Sequence, residues 1–273
     1  MKPLEFSHIF VVESLCPEDE LTGTRLFNRA IYPGMLDKNL EANCDHITVV
    51  SKLDFLNAIS SIRTKVISDN ISPIIHLEMH GTKTGLQLTN YERITWEELQ
   101  PILIELNVLC KNNLFLTMAT CYGGYIYTTI SPKFQAPFWG FVGPFDEVDE
   151  DEVLADFTNF YFELLNSLDV NAAETALHRQ NAPSASKFRF QNTEFAFKKA
   201  YSNYEQNHLT PERIEERLTQ IEEEFRETGE YQDWSSDRIK EFARSIIVDQ
   251  NDAIKERLMT RFLMLDIYPE LRN

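Results

Sequence analysis

Two residues of this chain have the types and the setting for acyl-transfer chemistry, His80 and Cys121. Each follows an apolar run: Ser72 to His80 (SPIIHLEMH) for the first, Leu114 to Ala119 and then Thr120 for the second. A thiol attacks carbonyl carbon only as the thiolate, and an imidazole beside it can take that proton and later return it to a leaving group. Glycine lies close behind each residue, Gly81 after His80 and Gly123-Gly124 after Cys121-Tyr122. Glycine lets a backbone turn sharply and turn its amides toward a developing oxyanion. Taken singly, a cysteine after a buried strand is a small hydrophobe and a strand-end histidine a hydrogen-bonding group. Together, at two strand ends with one helix between them, they read as nucleophile and base.

The elements that must hold this pair follow from periodicity. Strands are expected at Phe6 to Val12, His46 to Val50, Ser72 to His80, Leu114 to Ala119 and Phe138 to Gly143. Helical spacing appears in Leu21 to Ile31, in Phe55, Ile59, Ile62 and Val66 behind a Ser51/Asp54 capping box, and in Leu99, Ile102, Leu103 and Leu106 behind Thr95/Glu98. A further helix follows the acidic turn Asp146 to Asp151, with Val153, Phe157, Phe160, Tyr161 and Leu164 on one face. Alternating strands and helices imply right-handed crossovers and a mainly parallel, doubly wound α/β sheet. In such sheets chemistry gathers at the carboxyl ends of strands. From about Asn181 strand signals fade and three amphipathic helices follow, the first opening at Thr210-Pro211 and ending at Gly229. The expected organisation is an α/β domain over residues 1–180 and a helical region over 181–273, packed on the core or offering a face to a partner.

Composition narrows the function. The 273 residues carry 43 acidic and 26 basic side chains, a formal net charge of −17, which disfavours direct binding to nucleic-acid phosphates. No apolar stretch reaches membrane-spanning length, and the N-terminus lacks a signal pattern. Cys16, Cys44, Cys110 and Cys121 are widely and irregularly spaced, as expected of thiols in a cytoplasmic protein rather than of a disulfide framework. Six of the nine glycines lie between residues 81 and 143, around the His80/Cys121 pair.

The segment Pro73 to Gly124 resembles the core of the caspase-like cysteine peptidases, in which an apolar strand ends in His-Gly and a later one in the catalytic cysteine, with glycine within two residues. Here the two residues are 41 positions apart, and Ala119-Thr120-Cys121-Tyr122-Gly123 matches the Cys and final Gly of the caspase signature but not its Gln or Arg-like positions. Gly85-Leu86-Gln87-Leu88-Thr89, Ile94-Thr95-Trp96-Glu97-Glu98-Leu99 and Phe138 to Pro144 are similar to the CHAT branch of that superfamily. The resemblance runs from about Phe6 to Leu177. It implies a caspase-like fold and a His–Cys dyad. Cys121 would attack the peptide carbonyl, His80 would protonate the leaving amine, and the Gly81 and Cys121 amides would form the oxyanion hole, with no metal or organic cofactor. It also implies cleavage of specific protein substrates, activation by a partner protein that could dock on the C-terminal helices, and a role in bacterial defence or cell death. Ala119 occupies a pocket-lining position where the family has Gln or Asp, so a strict Asp preference is not expected. Glu13, Glu78 or Asp146 could receive a basic side chain, Glu78 reads first as an ordinary polar residue at a strand end, and a small or apolar side chain fits Ala119 equally well.

Other readings are weaker. His76-x-Glu78-x-His80 shares one strand face, but four residues at roughly 3.3 Å each put the two histidines about 13 Å apart, too far for one zinc. His8, His46, His178 and His208 stand without a partner pattern, and Asp146 to Glu152 lacks the spacing of a calcium loop. Two alternatives to a peptidase remain: a catalytically inactive scaffold or adaptor, and a thioesterase or acyl transferase.

Overall fold

The computed structural model describes residues 4–40, 43–177, 187–229 and 231–272. Its centre is an eight-stranded mixed sheet. Six strands run in the order β2 (Cys44–Thr48), β1 (His8–Ser14), β3 (Pro73–Thr82), β6 (Phe115–Ala119), β7 (Gly140–Pro144) and β8 (Phe188–Asn192), all parallel except the β7–β8 pair. A small antiparallel ribbon, β4 (Gly85–Gln87) and β5 (Arg93–Thr95), continues from the end of β3.

The central strands β1, β3, β6 and β7 are buried on both faces, which is why they read as nearly unbroken apolar runs. One face carries Phe10, Val12, Ile75, Leu77, Leu116 and Met118 against α3 (Lys52–Asp69) and α4 (Trp96–Leu109). The other carries Ile9, Val11, Ile74, Phe115 and Ala119 against α1 (Thr22–Leu26), α2 (Tyr32–Leu36), α5 (Glu150–Ser167) and α6 (Val170–Leu177). The helix starts follow the sequence chemistry. Ser51 and Thr95 each accept from the N3 amide while Asp54 and Glu98 bond back to the cap N–H. Glu152 reaches the Asp149 N–H at the start of α5.

Three expectations change. The third strand does not end at His80 but runs to Thr82 and turns into the β4 ribbon, so His80 stands where the strand leaves the main sheet. The helical stretch expected over Leu21 to Ile31 is helical, running without a break from α1 through a π segment at Phe27–Ile31 into α2. The region after residue 181 is not wholly helical. β8 pairs with β7, and its FRFQN sequence is too short and too polar at its end to stand out against a helical background. The boundary at 180/181 itself, and His178, lie outside the described residues. A helix not expected, α7 (Thr193–His208), precedes α8 (Pro211–Thr228), α9 (Ser236–Arg244) and α10 (Asn251–Phe262).

The C-terminal helices divide in two. α7 and α10 pack on the α/β body through Phe197, Tyr201 and Phe262 around Ala136, and the Tyr268 hydroxyl donates to the Val108 carbonyl at 2.9 Å. α8 and α9 share a small core of their own, Ile214, Leu218 and Ala243.

Candidate active site

The pairing of β3 with β6 brings the two sequence candidates together. The register sets Glu78 beside Ala119, with His80 two residues further along β3 and Cys121 two residues further, in the turn after β6. Both therefore emerge at the carboxyl ends of adjacent parallel strands. His80 is exposed and Cys121 half-exposed. The chains touch just above this level. A Cβ on Gly81 would stand 2.2 Å from the Cys121 carbonyl oxygen and 2.2 Å from Thr120 Cγ2, so only glycine permits the approach.

After Cys121 the backbone turns sharply, and the residue that takes the left-handed conformation is Tyr122 (φ 59°), not a glycine. Its N–H donates to the Asp146 carbonyl at 3.1 Å, its hydroxyl to Glu147 at 3.1 Å, and Lys83 sits 5.3 Å over its ring. Gly124 serves close packing instead, since a Cβ there would come within 2.7 Å of the Phe145 ring. The Cys121 sulfur faces the loop that precedes α5: Val148 N–H donates to Sγ at 3.4 Å, and Sγ lies 3.7 Å from the Val148 carbonyl. The same Val148 lines an open cleft of about 600 Å³ with Glu20, Asp149, Glu150, Asp151 and Glu152.

His80 has a partner that no motif singled out. Its Nε2 lies 3.0 Å from Asp19 Oδ2, on the turn that follows β1, the sheet neighbour of β3. The Cys16 N–H donates to that same oxygen at 2.9 Å. The carboxyl-end rule applied to β1 as well as to β3 and β6 would have pointed to this turn.

The candidate pocket residues are placed unevenly. Asp146 is exposed beside Tyr122. Ala119 is 4% exposed and belongs to the core on the α5 side. Glu13 and Glu78, expected as receivers of a basic side chain, are 2% and 3% exposed, roofed by α1, and bonded internally. Glu13 accepts from the Thr24 amide (3.0 Å) and hydroxyl (2.5 Å) and pairs with His46 at 2.9 Å. Glu78 accepts from the Thr22 hydroxyl at 2.8 Å and pairs with His76 at 3.1 Å, whose other ring nitrogen meets the Thr117 hydroxyl at 2.9 Å. Burial pushes the Glu78 carboxyl above its ordinary range despite the bonds from His76 and Thr22. Burial acts on Glu13 in the same sense, but the bonds from His46 and Thr24 outweigh it and hold that carboxyl below its ordinary range. These two glutamates are thus a buried polar layer under the site. His46 and His8, which had no partner pattern in the sequence, pair with Glu13 and Asp45. The Glu78 partner of His76 explains the His76-x-Glu78 spacing without a metal, and among the described residues no group of three or more His, Cys, Asp or Glu side chains could hold one.

Two of the other thiols are less exposed than Cys121. Cys110 and Cys44 are buried, and burial pushes the Cys110 thiol up to about 12. Cys16 is half-exposed, its sulfur 4.0 Å from the Thr89 carbonyl. No helix among the described residues is long and apolar enough to cross a membrane. No protein-family model matches the chain, and no match was found among curated proteins.

Proposed function

We propose that this chain is a cysteine endopeptidase working with a His80–Cys121 dyad. The observation that carries the reading is the placement of an exposed imidazole and a half-exposed thiol at the carboxyl ends of two adjacent parallel strands, with the Gly81 backbone packed against Cys121. The α/β sheet with helices on both faces is compatible with the caspase-like fold that the sequence resemblance implies. In this reading the Cys121 proton passes to His80 and the thiolate attacks the peptide carbonyl. The Gly81 and Cys121 amides hold the oxyanion. His80 returns the proton to the amine as the C–N bond breaks, and water then hydrolyses the thioester. The substrates would be specific proteins, and a partner protein would switch the enzyme on. The α8–α9 pair, which packs mainly on itself, suits such docking better than α7 or α10. That activation is refuted by an isolated chain that cleaves at its full rate.

Iodoacetamide labelling followed by peptide mapping tests the dyad. Cys121 should label fastest, slow at least tenfold in His80→Ala, and disappear from the map in Cys121→Ala, while Cys110 stays unmodified in the folded protein. Equal labelling of Cys121 with and without His80 overturns the reading. An inactive scaffold gives that equal labelling, and a thioesterase gives the same labelling as the peptidase but turns over thioesters and not peptides.

A further inference from the structure

We propose that Asp19 is the positioning residue for His80, so that acid, base and thiol come from three consecutive strand ends of the sheet. The inference rests on the peptidase reading of His80 and Cys121 and extends it. Across the order β1, β3, β6, the turn after β1 supplies Asp19, β3 supplies His80, and the turn after β6 supplies Cys121.

The carboxylate is built into its place. The Asp19 N–H donates to the Cys16 carbonyl at 3.0 Å and the Cys16 N–H donates to Asp19 Oδ2 at 2.9 Å, which closes the turn on itself. That turn is anchored through Ser14, whose hydroxyl lies 3.0 Å from the Thr89 hydroxyl and accepts from the Thr89 N–H at 3.0 Å. Thr89 follows the β4 strand, so the acid and the base are fastened to one another from both sides of the β1–β3 seam. A carboxylate only accepts, so the His80 nitrogen 3.0 Å from Asp19 must carry the hydrogen. The neutral ring is then the Nε2–H tautomer, with its lone pair on Nδ1. Nδ1 is the nitrogen left to exchange a proton with sulfur. It takes the Cys121 S–H proton as the thiolate adds to the carbonyl carbon, and gives it to the amine nitrogen as the C–N bond breaks.

The pair is open to water, with side-chain exposures of 52% for His80 and 26% for Asp19, so its contribution to stability is small and its effect is orientation. Loss of a carboxylate that orients a working imidazole through its second nitrogen costs about 10- to 100-fold at metal sites, and a similar loss is expected here.

The test uses the full chain labelled with ¹⁵N-histidine, in wild type, Asp19→Asn and Asp19→Ala. Long-range ¹⁵N–¹H correlation at a pH where the ring is neutral reads the His80 tautomer without any need for substrate. Wild type should show the Nε2–H form, and both variants a mixture or the opposite form, with unfolding temperature unchanged. Iodoacetamide capture of Cys121, measured in a Cys16→Ser background, should slow about 10- to 100-fold in the variants. A wild-type Nδ1–H tautomer, or a tautomer and capture rate unmoved by Asp19→Ala, overturns the proposal. The tautomer stays readable if no peptide is cleaved, so failure of the peptidase reading shows separately, as activity that is absent or survives Cys121→Ala.

Discussion

At the residue scale, Gly81 carries more of the site than its missing side chain suggests. It lies against the Cys121 carbonyl and Thr120, where an added methyl has no room, and both neighbours belong to the turn that presents the thiol. Gly81→Ala should cost about 1–3 kcal/mol of stability, as overpacking does, and lower Cys121 capture by iodoacetamide up to about 100-fold, because an ångström of misplacement suffices for that. Thermal unfolding and the capture rate, measured on the same sample, check it; a variant with wild-type values for both would show that the strand ends do not need this contact. The placement of His80 and Cys121 at the ends of neighbouring strands was legible in the sequence because both residues close apolar runs and have glycine within two positions. Asp19 was not, since an acidic triplet Glu18-Asp19-Glu20 after a strand looks like any solvated turn until the sheet order sets β1 beside β3. The glycines near Cys121 were read as the source of its sharp turn, whereas Tyr122 makes it, held in the left-handed region by its bonds to Asp146 and Glu147.

At the scale of elements, the seat of α1 on the sheet depends on two carboxylates with opposite titration. Glu13 has a lowered folded pKa, so it contributes stability above the ordinary value of 4.5 that is lost as pH falls through its folded value. Glu78 has a raised folded pKa, so the folded state holds a proton the unfolded chain releases, and stability falls as pH rises from about 4.5 through the folded value. Glu13→Gln should therefore destabilise at pH 7 by about 1–3 kcal/mol, with the deficit shrinking toward acid pH. Glu78→Gln keeps the shape, removes the penalty, and should raise the unfolding temperature at pH 7 but not below pH 4.5. Unfolding temperatures from pH 4 to 8 for the two variants check the signs; parallel curves would contradict them. The strands β1, β2, β3, β6 and β7 and the capping boxes of α3 and α4 were readable from period and spacing. The helix after β1 was readable too, but not its π segment at Phe27–Ile31, which leaves the apolar spacing helical. Glu13 and Glu78 looked like pocket residues because alternation fixes the face of a strand but not what roofs it, and the roof is α1.

At the scale of the molecule, the chain is an α/β body with α7 and α10 docked on it and the α8–α9 pair held largely by its own small core. Amides of α8 and α9 should exchange with solvent at least a hundredfold faster than those of β1, β3 and β6, because local opening there breaks few buried contacts. Hydrogen exchange read by mass spectrometry checks this, and equal protection would mean that α8 and α9 belong to the cooperative core. The division of the chain near residue 180 was legible only as a change of grammar. β8, which crosses back to join the sheet, carries too few apolar residues to announce itself. The claim on which the rest depends is that Cys121 cuts proteins. Proteome-wide mapping of new protein N-termini in cells expressing wild type or Cys121→Ala tests it most directly. A small set of new termini sharing one residue pattern before the cut, present with wild type and absent with Cys121→Ala, is the predicted result; identical terminus profiles for the two, in cells where the partner is present, would contradict it.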